Sequence, residues 1–305
     1  MADKPYLEQP NLHTVAPHRA ALLSHPANLR EALREAMADS TKTLFGLGCG
    51  IPSSALTKVF LSAKPDFIWF DAEHGFFDRL TLNDLIQTTN YYSEGKTMAI
   101  VRVPHNDDST LLAALDAGAA GILLPHCEDV EEVKKFIRKI YYPPLGDRSF
   151  SPWGLAPGVS DVSLYSDDNY NMKTANQHIA IFAQIESVKG VQNVNEIAAI
   201  PEVHGIMFGP GDYSADAGLP PFKMGSPPHP DLLAAMGETA MAAGKVQKPM
   251  LGLSPDMDMI PTMIQQGFRC IMVLFDVWGI AGLTHGNLSK GRMFAAQSGQ
   301  PSGGA

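Results

Sequence analysis

The chain has 305 residues, 45% of them hydrophobic, with 23 Lys+Arg against 32 Asp+Glu and a net charge of -9. An acidic chain without a basic stripe is a poor partner for nucleic acid or an anionic membrane, so an anionic substrate would need a local positive charge from an Arg or a metal. Three widely separated cysteines (Cys49, Cys127, Cys270), no signal-like segment in MADKPYLEQPN, and no apolar run near the ~20 residues that span a bilayer lead to the expectation of a soluble cytoplasmic protein without a disulfide framework.

In chain order, the first periodic segment is NLREALREAMADS (28–40), where Leu29, Leu33 and Met37 recur at spacing four. It predicts a helix that closes a barrel bottom, ending an N-terminal extension over residues 1–40. Eight apolar, β-rich runs follow: TLFGLGC (43–49), FIWFD (67–71), TMAIVRV (97–103), AGILLP (120–125), IAIFAQIE (179–186), HGIMFG (204–209), PMLGL (249–253) and CIMVLFD (270–276). None alternates cleanly between polar and apolar residues, which marks strands buried on both faces of a parallel sheet.

Helical patterns lie between these runs. DSTLLAALDAGA (108–119) sets Leu111, Leu112 and Leu115 on one face and stops at Gly118. EDVEEVKKFIRKIYY (128–142) carries acidic residues first and basic ones later, as the helix dipole favours. HPDLLAAMGETAMAAG (229–244) and SPDMDMIPTMIQQG (254–267) end on glycines, and Pro261 interrupts the second. Strands alternating with helices over ~250 residues predict an α/β fold, a (β/α)8 TIM barrel, here spanning 41–296. The rival doubly wound sheet would offer a G-x-G-x-x-G turn, and GLGCGI (46–51) fails that pattern at Ile51. Residues 142–177 form a long Pro-, Gly- and Ser-rich insert with Phe150, Trp153, Tyr165 and Tyr170, read as an ordered lid loop over the site. The tail 297–305 reads as disordered.

The run FIWFD leads straight into AEHG, so Asp71, Glu73 and His74 crowd the tip of a buried strand. In a barrel, chemistry collects at the C-terminal ends of strands, so other strands should end in polar groups too. They do: Arg102 on the third, His126 after the fourth, Gln184 and Glu186 on the fifth, and Gly209, Pro210, Gly211 and Asp212 after the sixth. Five consecutive decorated ends point to a shared site. Glu186 and Asp212, two carboxylates from adjacent strand ends, suit a hard divalent cation such as Mg²⁺, with simple capping roles as the alternative. Cysteine is absent from the cluster, which disfavours structural zinc. Arg102 needs an anionic partner, either a substrate carboxylate or enolate oxygen, or a salt bridge to Asp71 or Glu73. His74 fits a general acid/base held by a carboxylate. The GPGD turn offers backbone N–H groups that could cradle a carboxylate. His105, His126 and His204 are equally open to structural and functional roles, and Trp69, Phe76 and Phe77 read as packing.

The motifs FDAEHG, VRVPHND, LDAGAAGILLP, YPPLGDR, AQIES, IPEVHGIMFGPGDYSADAG and CIMVLFD, in this order between about 41 and 294, resemble the HpcH/HpaI family of class II, metal-dependent pyruvate aldolases. The resemblance implies a (β/α)8 barrel and a homohexamer whose last helix is exchanged between subunits. It further implies Mg²⁺ or Mn²⁺ on Glu186 and Asp212, Arg102 on the keto or enolate oxygen, and His74 with Asp71 in proton transfer. Asp116, in LDAGA, matches an aspartate presented to a neighbouring subunit. The chain also departs from the usual family pattern. EHGFF follows the second strand, His105 stands where Trp is common, GPGDYS replaces GPaDLS, and GDRSFSPWG replaces GxRGxG. These departures resemble a fungal branch that decarboxylates oxaloacetate and captures the metal-bound pyruvate enolate with a 2-pyrone, building a benzoate. By that resemblance Trp69, His74, Arg102, His126, Phe150, Pro152, Trp153 and Tyr170 line the pocket, with Gln184 and the 209–211 turn beside the metal, and Arg102 and Tyr170 hold the pyrone. The alternatives are an aldolase that makes or cleaves 4-hydroxy-2-oxo acids from pyruvate and an aldehyde, and a non-catalytic barrel serving as a scaffold.

Overall fold

The computed structural model describes residues 28–93, 95–150, 172–223, 227–254 and 256–298. Helix α1 (Leu29–Ala38) leads into β1 (Leu44–Cys49), α2 (Ser54–Ser62), β2 (Phe67–Asp71), α3 (Arg79–Tyr92), β3 (Met98–Arg102), α4 (Asp108–Ala117), β4 (Gly121–Leu124) and α5 (Val130–Arg138). Then come α6 (Met172–His178), β5 (Ala180–Ile185), α7 (Val188–Gln192), α8 (Val194–Ala198), β6 (Gly205–Phe208), α9 (Pro210–Asp216), α10 (Pro230–Lys245) and β7 (Met250–Leu253). A 3₁₀ turn (Met257–Met259), α11 (Ile260–Gln265), β8 (Phe268–Phe275) and α12 (Asp276–Ser298) complete the described chain. The strands pair in sequence order, all parallel, and β8 returns to β1, so the sheet is the closed eight-stranded barrel expected from the alternating runs. Among the described residues no helix is long and apolar enough to cross a membrane.

Local chemistry fixes where each helix begins. Ser53, Asp78, Asp107, Asp129 and Ser187 each end a βα loop and accept a first-turn N–H of the helix that follows. Gly118 ends α4 in the left-handed conformation, φ 94°, which glycine adopts without steric cost.

Two apolar layers result. The outer one lies between strands and helices and includes Phe70, Leu85, Val101, Leu111, Ile181 and Ile271. The inner one fills the barrel: Phe67, Trp69, Met98, Ile100, Leu123, Phe182, Met207, Leu251 and Met272. Strand glycines make room for the large inner rings, since a Cβ on Gly46 would lie 2.4 Å from the ring of Phe67. Helix α1 plugs the bottom with Leu29 and Leu33, and Leu29 fits over Gly121. Its buried stripe is Leu29, Leu33 and Ala36, with Met37 only half-buried, because at 3.6 residues per turn position 36 falls about 20° from Leu29 while position 37 has turned about 80° away. Leu33→Ala is expected to lower the unfolding free energy by about 2–4 kcal/mol through the cavity left inside the barrel. A lower urea midpoint at unchanged slope would show it.

Four expectations need correction. Residues 172–178 of the insert form helix α6 rather than loop. Pro261 sits in the first turn of α11, where its missing N–H costs nothing, so it starts a helix instead of interrupting one. Phe76 is 90% exposed rather than packed. Helix α12 runs to Ser298, so the first two residues of the supposed tail are helical, and 299–305 lie outside the described residues.

Candidate active site

Side chains alternate faces along a strand, so the inner layer can be followed upward two residues at a time. On β2 it runs Phe67, Trp69, Asp71; on β3 Met98, Ile100, Arg102; on β5 Phe182, Gln184, then Glu186 just past the strand end. The same periodicity that fills the barrel with apolar groups therefore delivers its last inward positions as charges at the C-terminal mouth.

Asp71 and Arg102 are register partners, so their side chains meet directly. Arg102 Nε donates to Asp71 Oδ1 at 2.8 Å and Nη2 to Oδ2 at 2.6 Å, both side chains being buried. Burial alone would lower the guanidinium pKa, but its bonds to Asp71, with Glu73 and Glu186 nearby, outweigh that and raise it. Of the two partners posed for Arg102, the salt bridge to Asp71 is therefore formed. Asp71 uses two of its nitrogens, while Nη1 faces Glu73 Oε2 at 3.3 Å. The Trp69 ring packs against the guanidinium, with Cζ 5.1 Å from its centroid.

His74 is placed differently from a dyad with Asp71. Its backbone N–H donates to Asp71 Oδ1 at 3.3 Å, while its ring, 65% exposed, has Nε2 3.8 Å from Glu73 Oε2. The carboxylate nearest the imidazole is thus Glu73.

Glu186 is almost fully buried. Its Oε1 accepts the backbone N–H of His126 at 2.8 Å and its Oε2 accepts from Gln184 Nε2 at 2.5 Å. Burial pushes its carboxyl up to about 8; the His126 N–H opposes this and the charge of Asp212 adds to it. Gly209 lies against it, since a Cβ there would sit 2.4 Å from Glu186 Oε2. Asp212 stands half-buried in the first turn of α9. Gly209 spends its N–H on Ile185 O at 2.9 Å and Pro210 has none, so Gly211 and Asp212 are left as the turn's backbone donors. His126 has a left-handed backbone, φ 49°, which aims its N–H at Glu186. Its ring Nδ1 is 3.6 Å from Glu186 Oε1, and the ring packs edge-on against His105 at 6.1 Å.

Other expected residues fall outside this cluster. Asp116, in the last turn of α4, bonds Arg148 at 2.6 Å within its own chain. Phe150 is half-exposed and packs on Tyr142 at 6.3 Å. Pro152, Trp153 and Tyr170 lie outside the described residues, as do Tyr165 and most of the expected lid. His204 is at the opposite end of the barrel, its Nδ1 accepting the N–H of Ile181 at 3.1 Å, so its role is structural. Two residues escaped the sequence reading. Arg148, buried under Tyr142, holds Asp116. Asp276, fully buried at the end of β8, accepts N–H bonds from Gly50 at 3.0 Å and Ile51 at 2.8 Å. An eighth run ending in Asp, as the second does, was the available signal.

The site fits a divalent cation. Among the described residues Asp71, Glu73 and Glu186 surround the buried Arg102, with Asp212 acting on Glu186, so the carboxylates outnumber the cationic side chain and an anionic substrate would gain from a bound cation. Two carboxylates without thiolates form the donor set of a hard cation completed by water and substrate oxygens. Among the described residues no group of three or more His, Cys, Asp or Glu is placed to hold a metal ion, so the fit rests on the two carboxylates alone. Trp69 Nε1 and Gln184 Oε1 are buried polar atoms without a partner among those residues, one donor and one acceptor at the same mouth.

Sequence comparison identifies the class. The model of the HpcH/HpaI aldolase/citrate lyase family matches residues 49–280, so the chain belongs to that family and is a metal-dependent carbon–carbon lyase. It is 30% identical to a pyruvate aldolase of Rhizobium etli over 254 residues, 83% of this chain and 94% of that protein. Over 191 residues it is 28% identical to a 4-hydroxy-2-oxo-heptane-1,7-dioate aldolase of Escherichia coli, covering 63% of this chain and 68% of that one. Among solved structures it is similar to macrophomate synthase, with 52% identity, a TM-score of 0.88, and coverage of 98% of this chain and 100% of that chain.

Proposed function

We propose that the protein decarboxylates oxaloacetate to the enolate of pyruvate with Mg²⁺ or Mn²⁺, and delivers it to a 2-pyrone to build a benzoate. The observation that carries this reading is the 52% identity to macrophomate synthase over 98% of the chain, against 30% to the pyruvate aldolase. Glu186 and Asp212 are the residues to hold the cation, which supplies a Lewis acid for charge developing on the ketone oxygen. Arg102, locked at two nitrogens by Asp71, offers its third to a substrate oxygen without having to be ordered on binding. Decarboxylation requires no base, because the breaking C–C bond leaves its electron pair on the enolate. Trp69 adds a flat wall and a buried N–H without a partner among the described residues, which suit a planar acceptor. His126 and Gln184 steady the Glu186 carboxylate. Pro152, Trp153 and Tyr170 are assigned to the pyrone pocket by the resemblance alone.

A homohexamer with α12 exchanged between subunits belongs to this reading. Helix α12 exposes Trp278, Leu283, Leu288 and Phe294, while Phe45 and Leu274 stay partly bare on the barrel wall. Asp116, held by Arg148 and still partly exposed, is assigned to a neighbour's site on the same ground.

A second reading, an aldolase joining pyruvate and an aldehyde, is favoured by the exposed His74 imidazole beside Glu73. The two separate in one assay. Oxaloacetate loss and pyruvate release are followed above the metal-only background for wild type, Glu186→Gln and His74→Ala. Release that survives His74→Ala and fails in Glu186→Gln supports the decarboxylase, and pyrone trapping then follows. His74-dependent proton exchange of pyruvate without decarboxylation would replace it with the aldolase.

A further inference from the structure

We propose that Glu73 is a positioning residue that occupies the substrate-facing nitrogen of Arg102 in the free enzyme and turns to His74 when an anion takes that nitrogen. The proposal rests on the reading of Arg102 as a substrate-binding group given above. A single oxygen, Glu73 Oε2, lies 3.3 Å from Arg102 Nη1 and 3.8 Å from His74 Nε2. Both contacts are longer than the 2.8 and 2.6 Å bonds of Asp71, which leave Arg102 no freedom at its other two nitrogens. Nη1, held only by the longer Glu73 contact, is therefore the nitrogen of the fork that a ligand wins most readily.

The main chain around Glu73 is fixed. Gly75 N–H bonds Asp71 O at 2.9 Å, and a Cβ on Gly75 would lie 2.4 Å from that same oxygen. Any response must come from side-chain rotation. An anion on Nη1 would stand next to the Glu73 carboxylate, and the repulsion between two like charges that close disfavours keeping Glu73 there. His74 provides the alternative partner. The exchange ties occupancy of Arg102 to the holding of the imidazole that the aldolase-type proton step uses. In that step a methyl C–H of pyruvate breaks, the imidazole takes the proton, and solvent returns a deuteron to the same carbon.

The test is calorimetric titration of oxalate, a small dianion, into the Mg²⁺-loaded protein, together with deuterium exchange of the pyruvate methyl group. Glu73→Gln removes the competing charge at constant shape, so oxalate should bind about threefold to tenfold tighter, as loss of a partly exposed ion pair allows. Methyl exchange should fall about tenfold, because the imidazole loses its carboxylate. A structural lesion would weaken both together. His74→Ala removes the alternative partner and should weaken oxalate about threefold, and the double variant should match Glu73→Gln alone, the signature of coupling through one residue. Glu73→Asp, which keeps the charge, should bind oxalate near the wild-type level. Weaker or unchanged oxalate binding in Glu73→Gln overturns the proposal. Tighter oxalate binding in a protein that neither decarboxylates nor exchanges would sustain the switch and overturn the assigned reaction.

Discussion

Glu186→Gln should lose activity by on the order of 10³-fold or more, and in metal-free buffer it should be more stable than wild type. The loss follows from the proposed function, which assigns Glu186 as one of the two carboxylates that hold the cation. The gain follows from burial. Glu186 titrates from about 8 in the folded chain against 4.5 for the free side chain. A raised folded value favours folding fully below the unfolded value, and that contribution disappears as pH rises through about 8. Ionisation above that range places a charge in a buried site, a cost glutamine cannot incur. The two proteins should therefore melt alike near pH 4 and diverge as pH rises, with the variant ahead by on the order of 2–4 kcal/mol above pH 8. Adding Mg²⁺ should reverse the order, because only wild type gains by binding the cation in its folded state. Thermal melts at pH 5 and 8.5, each in chelator and in Mg²⁺, check both halves. Equal melts at pH 8.5 in chelator would remove the argument from burial.

Arg102→Ala should be the most damaging single change to the free protein. It strands Asp71, a buried carboxylate whose two oxygens accept from that guanidinium, and breaking such a pair costs about 3–5 kcal/mol. Arg102→Lys retains the charge but cannot make two parallel bonds and still present a third nitrogen. Its expected signature is a smaller stability loss, about 1–2 kcal/mol, with kcat/KM for oxaloacetate down on the order of 10²-fold. Asp71→Asn combined with Arg102→Met removes both charges and should recover much of the stability lost in Arg102→Ala without recovering any turnover. Urea midpoints alongside steady-state kinetics separate the two quantities. A double variant as unstable as Arg102→Ala would mean that the pair itself, and not the stranded carboxylate, holds the mouth together.

Most of the barrel was legible because each strand is a short apolar run and five of the helices open on a serine or aspartate cap. The site was legible as a set of residue types, because period two carries Trp69 to Asp71, Ile100 to Arg102 and Gln184 to Glu186. Partnerships were not, since they depend on register between strands. Nothing in FDAEHG says that Asp71 goes to Arg102 and leaves Glu73 nearest His74. Helix α12 was hard to read for another reason. With Gly279, Gly282, Gly286 and Gly291 and no continuous apolar stripe, it carries little of the local preference that marks a helix. Asp276 was overlooked because its partners, Gly50 and Ile51, are 226 and 225 residues away.

That separation has a consequence for how the molecule is made. The β1–β8 seam joins the first and last strands, and Asp276 fastens it only after β8 exists. During synthesis the earlier strands can pair with their neighbours while β1 keeps one edge bare. Closure over so long a loop is slow, and open edges of apolar strands invite pairing with other chains. Slower translation and lower temperature should therefore raise the soluble yield, with the rescue largest for variants that loosen the seam.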